Sequence, residues 1–164
     1  MHTKKSNATR NLTLAAMIAA LYVVLTYISH LFGLDSGAIQ LRLSEALTIL
    51  PCFTAAAIPG LGIGCVLANL LSSCAPWDVV CGSLATLLGA CGTYLLRRHK
   101  YLAPLPPILA NAAIVPLVLL WVYHLEDTYL FLLATVSAGE ILCCYGLGLA
   151  LYSILDKHRD ALHL

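Results

Sequence analysis

From Ala46 to Trp77 the chain runs for 32 residues without a charged side chain, through Pro51, Pro59, Gly60, Gly62 and Gly64. A helix that crosses a bilayer needs about 20 apolar residues, so this stretch is too long for one comfortable span and short for two. Four further runs are built the same way: Leu12 to Leu34, Val79 to Leu96, Tyr101 to Leu125, and Thr128 to Leu155, the last interrupted only by Glu140. Charged residues make up 10% of the chain and mean hydropathy is +0.88, against roughly a quarter charged in ordinary soluble domains. The solvent for such a chain is the lipid bilayer, and the fold class expected is an all-α integral membrane bundle.

The punctuation of the long run decides the number of helices. Pro59-Gly60 is a turn signal, which divides the run into two short helices. The expectation is one membrane domain over residues 1–164, with helices near 11–33, 45–58, 61–74, 78–96, 103–123 and 128–155. Positive charge tests this count, because cytoplasmic loops collect Lys and Arg. With six crossings and both termini cytoplasmic, Lys4, Lys5, Arg10, Arg97, Arg98, Lys100, Lys157 and Arg159 all fall inside and Arg42 alone falls outside. Five crossings would export Arg97, Arg98 and Lys100. The first run exceeds the roughly 7–15 apolar residues of a signal peptide and is expected to stay as a spanning helix.

Ionisable groups in a bilayer cost about 2.5–3.5 kcal/mol at a helix centre and are functional candidates for that reason. Glu140 is the clearest, the alternative being a protonated acid hydrogen-bonded inside the bundle. Arg42 and Glu45 stand three apart where the chain re-enters the membrane, on one face of a helix; they suit a ligand or an interfacial ion pair with Ser44 as N-cap. Asn69 and Asn111 offer amides in apolar segments, for a ligand or for tying helices together. Trp77 and Asp78 sit at the outer boundary, as ligand contacts or as interface anchor and helix cap. Ala15, Ala16, Ala19 and Ala20 form two overlapping A-x-x-x-A pairs, which let another helix approach closely, from a partner or from the bundle itself. The seven cysteines contain no C-x-x-C pair and read as packing residues, with a Cys74–Cys81 disulfide as a minor alternative. No Walker motif, phosphate loop, H-E-x-x-H or hydrolase order occurs, so neither catalysis, a metal site nor ATP use by this chain is expected.

Gln40-Leu41-Arg42-Leu43-Ser44-Glu45-Ala46-Leu47, Ile58-Pro59-Gly60, Ala68-Asn69-Leu70, Asp78-Val79-Val80, the run Gly82 to Ala90 and Gly139-Glu140 together resemble the QueT family of queuosine-precursor transporters, over about Asn11 to Leu155. That family supplies substrate-specificity (S) components of energy-coupling factor (ECF) importers. The resemblance implies a six-helix S component in the bacterial cytoplasmic membrane, binding its ligand between outer loops and helix ends. It implies no cofactor and no nucleic acid, with a transmembrane coupling subunit docking on the alanines of the first helix and two ATPases spending ATP. The subunit would topple in the membrane to release ligand inside. The implied ligand is a 7-deazaguanine: an aminomethyl precursor, queuine or queuosine. Glu45 or Glu140 would accept hydrogen bonds from its guanine-like edge, a second carboxylate would pair with its amine, and Trp77 or Tyr123 would stack on the base. An S component for riboflavin, thiamine or a pterin, and a self-sufficient small carrier with Glu140 as proton relay, are the alternative readings.

Overall fold

The computed structural model describes residues 2–34, 40–72, 74–124 and 127–158, with residues 2–7 as backbone only. Arg159, which entered the charge argument, lies outside the described residues. Among the described residues there are six α-helices: α1 His2–Leu31, α2 Ala57–Leu71, α3 Pro76–Leu95, α4 Leu105–Trp121, α5 Tyr129–Glu140 and α6 Gly148–Lys157. A 3-10 segment, Leu43–Cys52, separates α1 from α2. A π-helical segment, Ile141–Leu147, joins α5 to α6, so that Tyr129–Lys157 is one continuous 29-residue rod. There is no strand among the described residues.

Two elements differ from the sequence expectation, and for a clear reason. The predicted helix 45–58 is the shorter 3-10 segment Leu43–Cys52, flanked by Arg42 without the side-chain cap expected of Ser44. The predicted turn at Pro59-Gly60 is instead the first turn of α2, and the chain reverses at Phe53 to Ala56. Proline is tolerated in the first turn of a helix, where its missing N–H has no intrahelical acceptor to lose. Gly60 is then needed for packing rather than for a turn. A Cβ on it would lie 2.8 Å from the Ala15 carbonyl oxygen, and one on Gly64 would lie 2.8 Å from Tyr22 Cβ and 3.0 Å from the Ala19 oxygen. Gly60-x-x-x-Gly64 of α2 thus receives Ala15-x-x-x-Ala19 of α1, the small-residue contact by which membrane helices approach closely.

This contact divides the alanines of α1. Ala15 and Ala19 are buried in the bundle, whereas Ala16 and Ala20 are exposed on the outer side. The core runs on from that seam through Ile18, Tyr22, Leu47, Ala57, Leu61, Cys65, Ala68 and Ala90. Large apolar side chains cover the outside instead: Leu21, Val24, Leu67, Leu88, Leu109 and Phe131 are among those exposed. Small residues inside and large apolar ones outside suit a lipid solvent, where burying a leucine gains little. Three helices, Ala8–Leu31, Pro76–Leu95 and Tyr129–Lys157, are long and apolar enough to cross a membrane.

The ends of the bundle sort the loops. Asn11, the 53–56 reversal, Arg97, Arg98 and Tyr152 line one cavity at one end. At the other, the α2–α3 link meets the α4 C-terminus, where the Ala75 N–H donates to Tyr123 Oη at 3.2 Å.

Candidate functional site

The 3-10 segment carries the centre of the molecule. Its first residues are held to α1 by hydroxyls: the Leu43 N–H donates to Ser29 Oγ (2.9 Å) and Thr26 Oγ1 donates to Ser44 Oγ (2.9 Å). Tyr22, Thr26 and Ser29 are spaced i, i+4, i+7, so they form one polar stripe on a helix whose other faces are apolar, and all three are buried. That stripe threads the chain inward and delivers Glu45, 2% exposed, to the interior.

Glu45 is met from two other elements. Tyr22 Oη of α1 donates to Glu45 Oε1 at 2.6 Å, and Asn111 Nδ2 of α4 donates to Oε2 at 3.4 Å. Glu140, the last residue of α5, brings a second carboxylate, 7% exposed, and Asn111 interacts with this group as well. Cys144, one turn into the π segment, donates to Glu140 Oε2 (3.5 Å) and lies 3.6 Å from the Glu45 carbonyl and from Thr48 Oγ1. One ligand atom each from Glu45, Glu140 and Cys144 falls within a 4.8 Å group. The sequence reading expects no metal, and two carboxylates with a thiol also suit an organic ligand rich in N–H donors.

A second cluster lies towards the α2–α3 end. Asp78, buried in the first turn of α3 behind Pro76, accepts a hydrogen bond from Tyr123 Oη at 3.1 Å. Burial pushes the Tyr123 phenol up from its ordinary value, outweighing the Ala75 N–H, and Asp78 adds to the rise, so the hydroxyl keeps its proton to donate. Asn69 of α2 stands over Gly82 of α3, where a Cβ would meet its amide nitrogen at 3.1 Å and Asp78 Oδ1 at 3.9 Å. Gly82 therefore leaves the room that Asn69 and Asp78 share. Asn69 also reaches Cys65 Sγ at 3.6 Å, as does Thr86 at 3.4 Å.

Half-buried Arg42 couples the clusters. Burial alone would lower its pKa, but Asp78 first, then Tyr22, Cys65 and Glu45, outweigh this and hold it a cation. Arg42 thus stands among three acidic side chains, Asp78, Glu45 and Glu140, whose oxygens suit a cationic or N–H-rich guest.

Of the residues named from sequence, Glu45, Asn111 and Glu140 come together in the deep cluster, Asn69, Asp78 and Tyr123 in the outer one, and Arg42 feels charges from both. Trp77 does not join them. It is 66% exposed and lines a separate apolar groove with Trp121, Leu117 and Val118. The cysteines are free thiols, Cys74 and Cys81 included, so that disulfide is not formed. Tyr22, Thr26, Ser29 and Cys144 were missed. The i, i+4, i+7 hydroxyl spacing in the first run was the available signal for three of them, and Cys144 follows Glu140 at i+4.

Long lipid-facing helices around an interior of carboxylates, amides and hydroxyls define a multi-pass integral membrane protein with a polar centre. The QueT transporter family matches residues 12–157, and the chain belongs to that family, whose members are transporters rather than enzymes. It is similar to the queuosine precursor transporter QueT of Lactococcus lactis subsp. cremoris (strain MG1363), 38% identical over 98 residues, 58% of this chain and 57% of that one. The alignment thus spans little more than half the length of the relative. No solved structure matches the chain.

Proposed function

We propose that this protein is the substrate-binding S component of an ECF-type importer, taking up a 7-deazaguanine queuosine precursor or salvage compound. The observation that carries this reading is the pair of buried carboxylates, Glu45 and Glu140, delivered from non-adjacent elements and bridged by Asn111. A guanine-like edge presents adjacent N–H donors, which a carboxylate accepts at two points. The aminomethyl substituent carries a positive charge, which the acidic groups Asp78, Glu45 and Glu140 suit. Asn69 and Asn111 supply amides that both donate and accept, and Tyr123 offers a ring at the outer end. Trp77 keeps a place in this scheme only if the outer elements move on binding.

In the membrane the helices and the 3-10 segment make six crossings, with both termini cytoplasmic. Arg97, Arg98 and Asn11 share one end of the bundle, and that end then faces the cytoplasm. Ligand arrives at the Asp78–Tyr123 end. Because Glu45 is 2% exposed and Glu140 7% exposed, this is a closed form, and entry requires the elements around Glu45 to part. With no ATP site of its own, the chain relies on a coupling subunit and two ATPases, which the exposed Ala16 and Ala20 are free to meet.

The test is thermal melting of the purified full chain with aminomethyl deazaguanine, queuine, queuosine, riboflavin and thiamine, since a bound ligand stabilises by mass action. A deazaguanine raises the melting temperature, whereas Glu45→Gln and Glu140→Gln weaken binding at least tenfold, consistent with ~1.5–3 kcal/mol for a charged hydrogen bond. Stabilisation by riboflavin or thiamine alone assigns another vitamin. Unchanged affinity in both variants removes the two-carboxylate model.

A further inference from the structure

At the end of the bundle remote from Asp78 lies a second cavity of about 690 Å³, lined mainly by polar groups. Arg97 and Arg98, in the turn just after α3, line it together with Tyr94 and Tyr152. The Arg97 guanidinium stacks on the Tyr94 ring at 4.2 Å from its centroid, which fixes the direction of that charge. Tyr152 packs on Phe53 with ring centroids 4.9 Å apart, forming the opposite wall. The floor is the reversal at Thr54 to Ala56, from which α2 starts, so the positive end of a 15-residue helix adds to the two guanidiniums. Among the described residues, none that lines the cavity is acidic.

What such a site holds follows from its surroundings. The chemistry is that of a phosphate-bearing anion, since guanidinium, hydroxyl and helix amino end all favour phosphate oxygens. Exposed apolar side chains stand close to the lining residues in sequence: Leu12 next to Asn11 is 73% exposed, Leu95 two residues before Arg97 is 80% exposed, and Ile154 two residues after Tyr152 is 60% exposed. A soluble anion has no use for those side chains, but the acyl chains of a phospholipid do. We propose that this cavity is a headgroup site for an anionic phospholipid of the leaflet at that end, with Arg97 and Arg98 on the phosphate and the acyl chains along Leu12, Leu95 and Ile154. Basic pockets among membrane helices take anionic headgroups in this way. The inference is independent of the ligand proposed for the deep cluster and of which side of the membrane this end faces.

Native mass spectrometry of the full chain, titrated with phosphatidylglycerol or phosphatidylcholine, tests it. The wild type retains phosphatidylglycerol roughly ten- to thirty-fold better, the preference expected from two surface-level arginines, and Arg97→Gln/Arg98→Gln brings the two lipids close to parity. Lys100→Gln keeps the preference, because Lys100 stacks over Tyr101 and does not line the cavity. Equal retention of both lipids by the wild type overturns the proposal, as does an equal loss in Lys100→Gln, which would mean diffuse charge. Displacement of the lipid by millimolar inorganic phosphate also overturns it, in favour of a soluble-anion site. If the double variant does not fold, the wild-type lipid preference and the phosphate competition still decide.

Discussion

Gly64→Ala is the smallest change that probes how α1 and α2 hold the deep cluster. Its added Cβ would stand 2.8 Å from Tyr22 Cβ and 3.0 Å from the Ala19 carbonyl oxygen. Ordinary van der Waals separation for such atoms is about 3.5–4.0 Å, so the helices must separate by roughly half an ångström or more. Neither neighbour can yield by a rotamer change, because one atom is backbone and the other is attached directly to it. Overpacking of this kind costs typically 1–3 kcal/mol, against a gain of about 0.5–1 kcal/mol for replacing a helical glycine by alanine. The net is a loss of ~0–2.5 kcal/mol, or up to about 10 °C in melting temperature at 2–4 °C per kcal/mol for a chain this long. Gly146→Ala is the control, since a Cβ there meets nothing within 4 Å and only the helix gain remains. Melting of the two variants in the same detergent should therefore separate them, with Gly146→Ala at or above the wild type and Gly64→Ala clearly below. The shift also pulls on Tyr22, whose hydroxyl is 2.6 Å from Glu45, so Gly64→Ala should weaken ligand binding as well. If Gly64→Ala melts with Gly146→Ala, the close α1–α2 seam is not what holds this bundle together.

Two further substitutions separate roles that lie close in sequence. Tyr22→Phe removes the hydroxyl from Glu45 and leaves a buried carboxylate one donor short; deazaguanine affinity should change at least fivefold, on the scale of ~1–3 kcal/mol for an unmatched buried polar group, and calorimetric titration would show it. An unaltered affinity would mean that Tyr22 only packs. Ala20→Leu should leave the isolated subunit's melting temperature unchanged while reducing its co-purification with the coupling subunit, whereas Ala19→Leu should lower the melting temperature itself, because Ala19 is buried against Gly64. Equal co-purification of Ala20→Leu and wild type would place the docking face elsewhere.

The membrane character and the helical class were legible because uncharged runs of 18 residues or more leave few other solutions. Glu45, Glu140 and Asn111 were legible as candidates for the same reason: polar atoms in an apolar run demand a partner. Their partners were less so. Tyr22 meets Glu45 across 23 residues and Asn111 across 66, and no periodicity in one segment reports which face of another it will meet.

The misplaced turn carries the sharper physical lesson. Pro59-Gly60 reads as a reversal in water, where either residue interrupts a helix by leaving backbone or water to make up a hydrogen bond. Between lipid-facing helices the same pair serves a helix, because Pro59 occupies a first-turn position with no bond to lose and Gly60 is what allows the Ala15 carbonyl to come within 2.8 Å of where a Cβ would sit. The break falls instead on the other side, after Pro51, where the 3-10 segment ends at Cys52. That shift matters for function: by reversing at 53–56 rather than at 59–60, the chain gives α2 two glycines to set against α1. Glu45, three residues into the 3-10 segment, meets Tyr22 on the same helix α1 whose Ala15 and Ala19 receive those glycines.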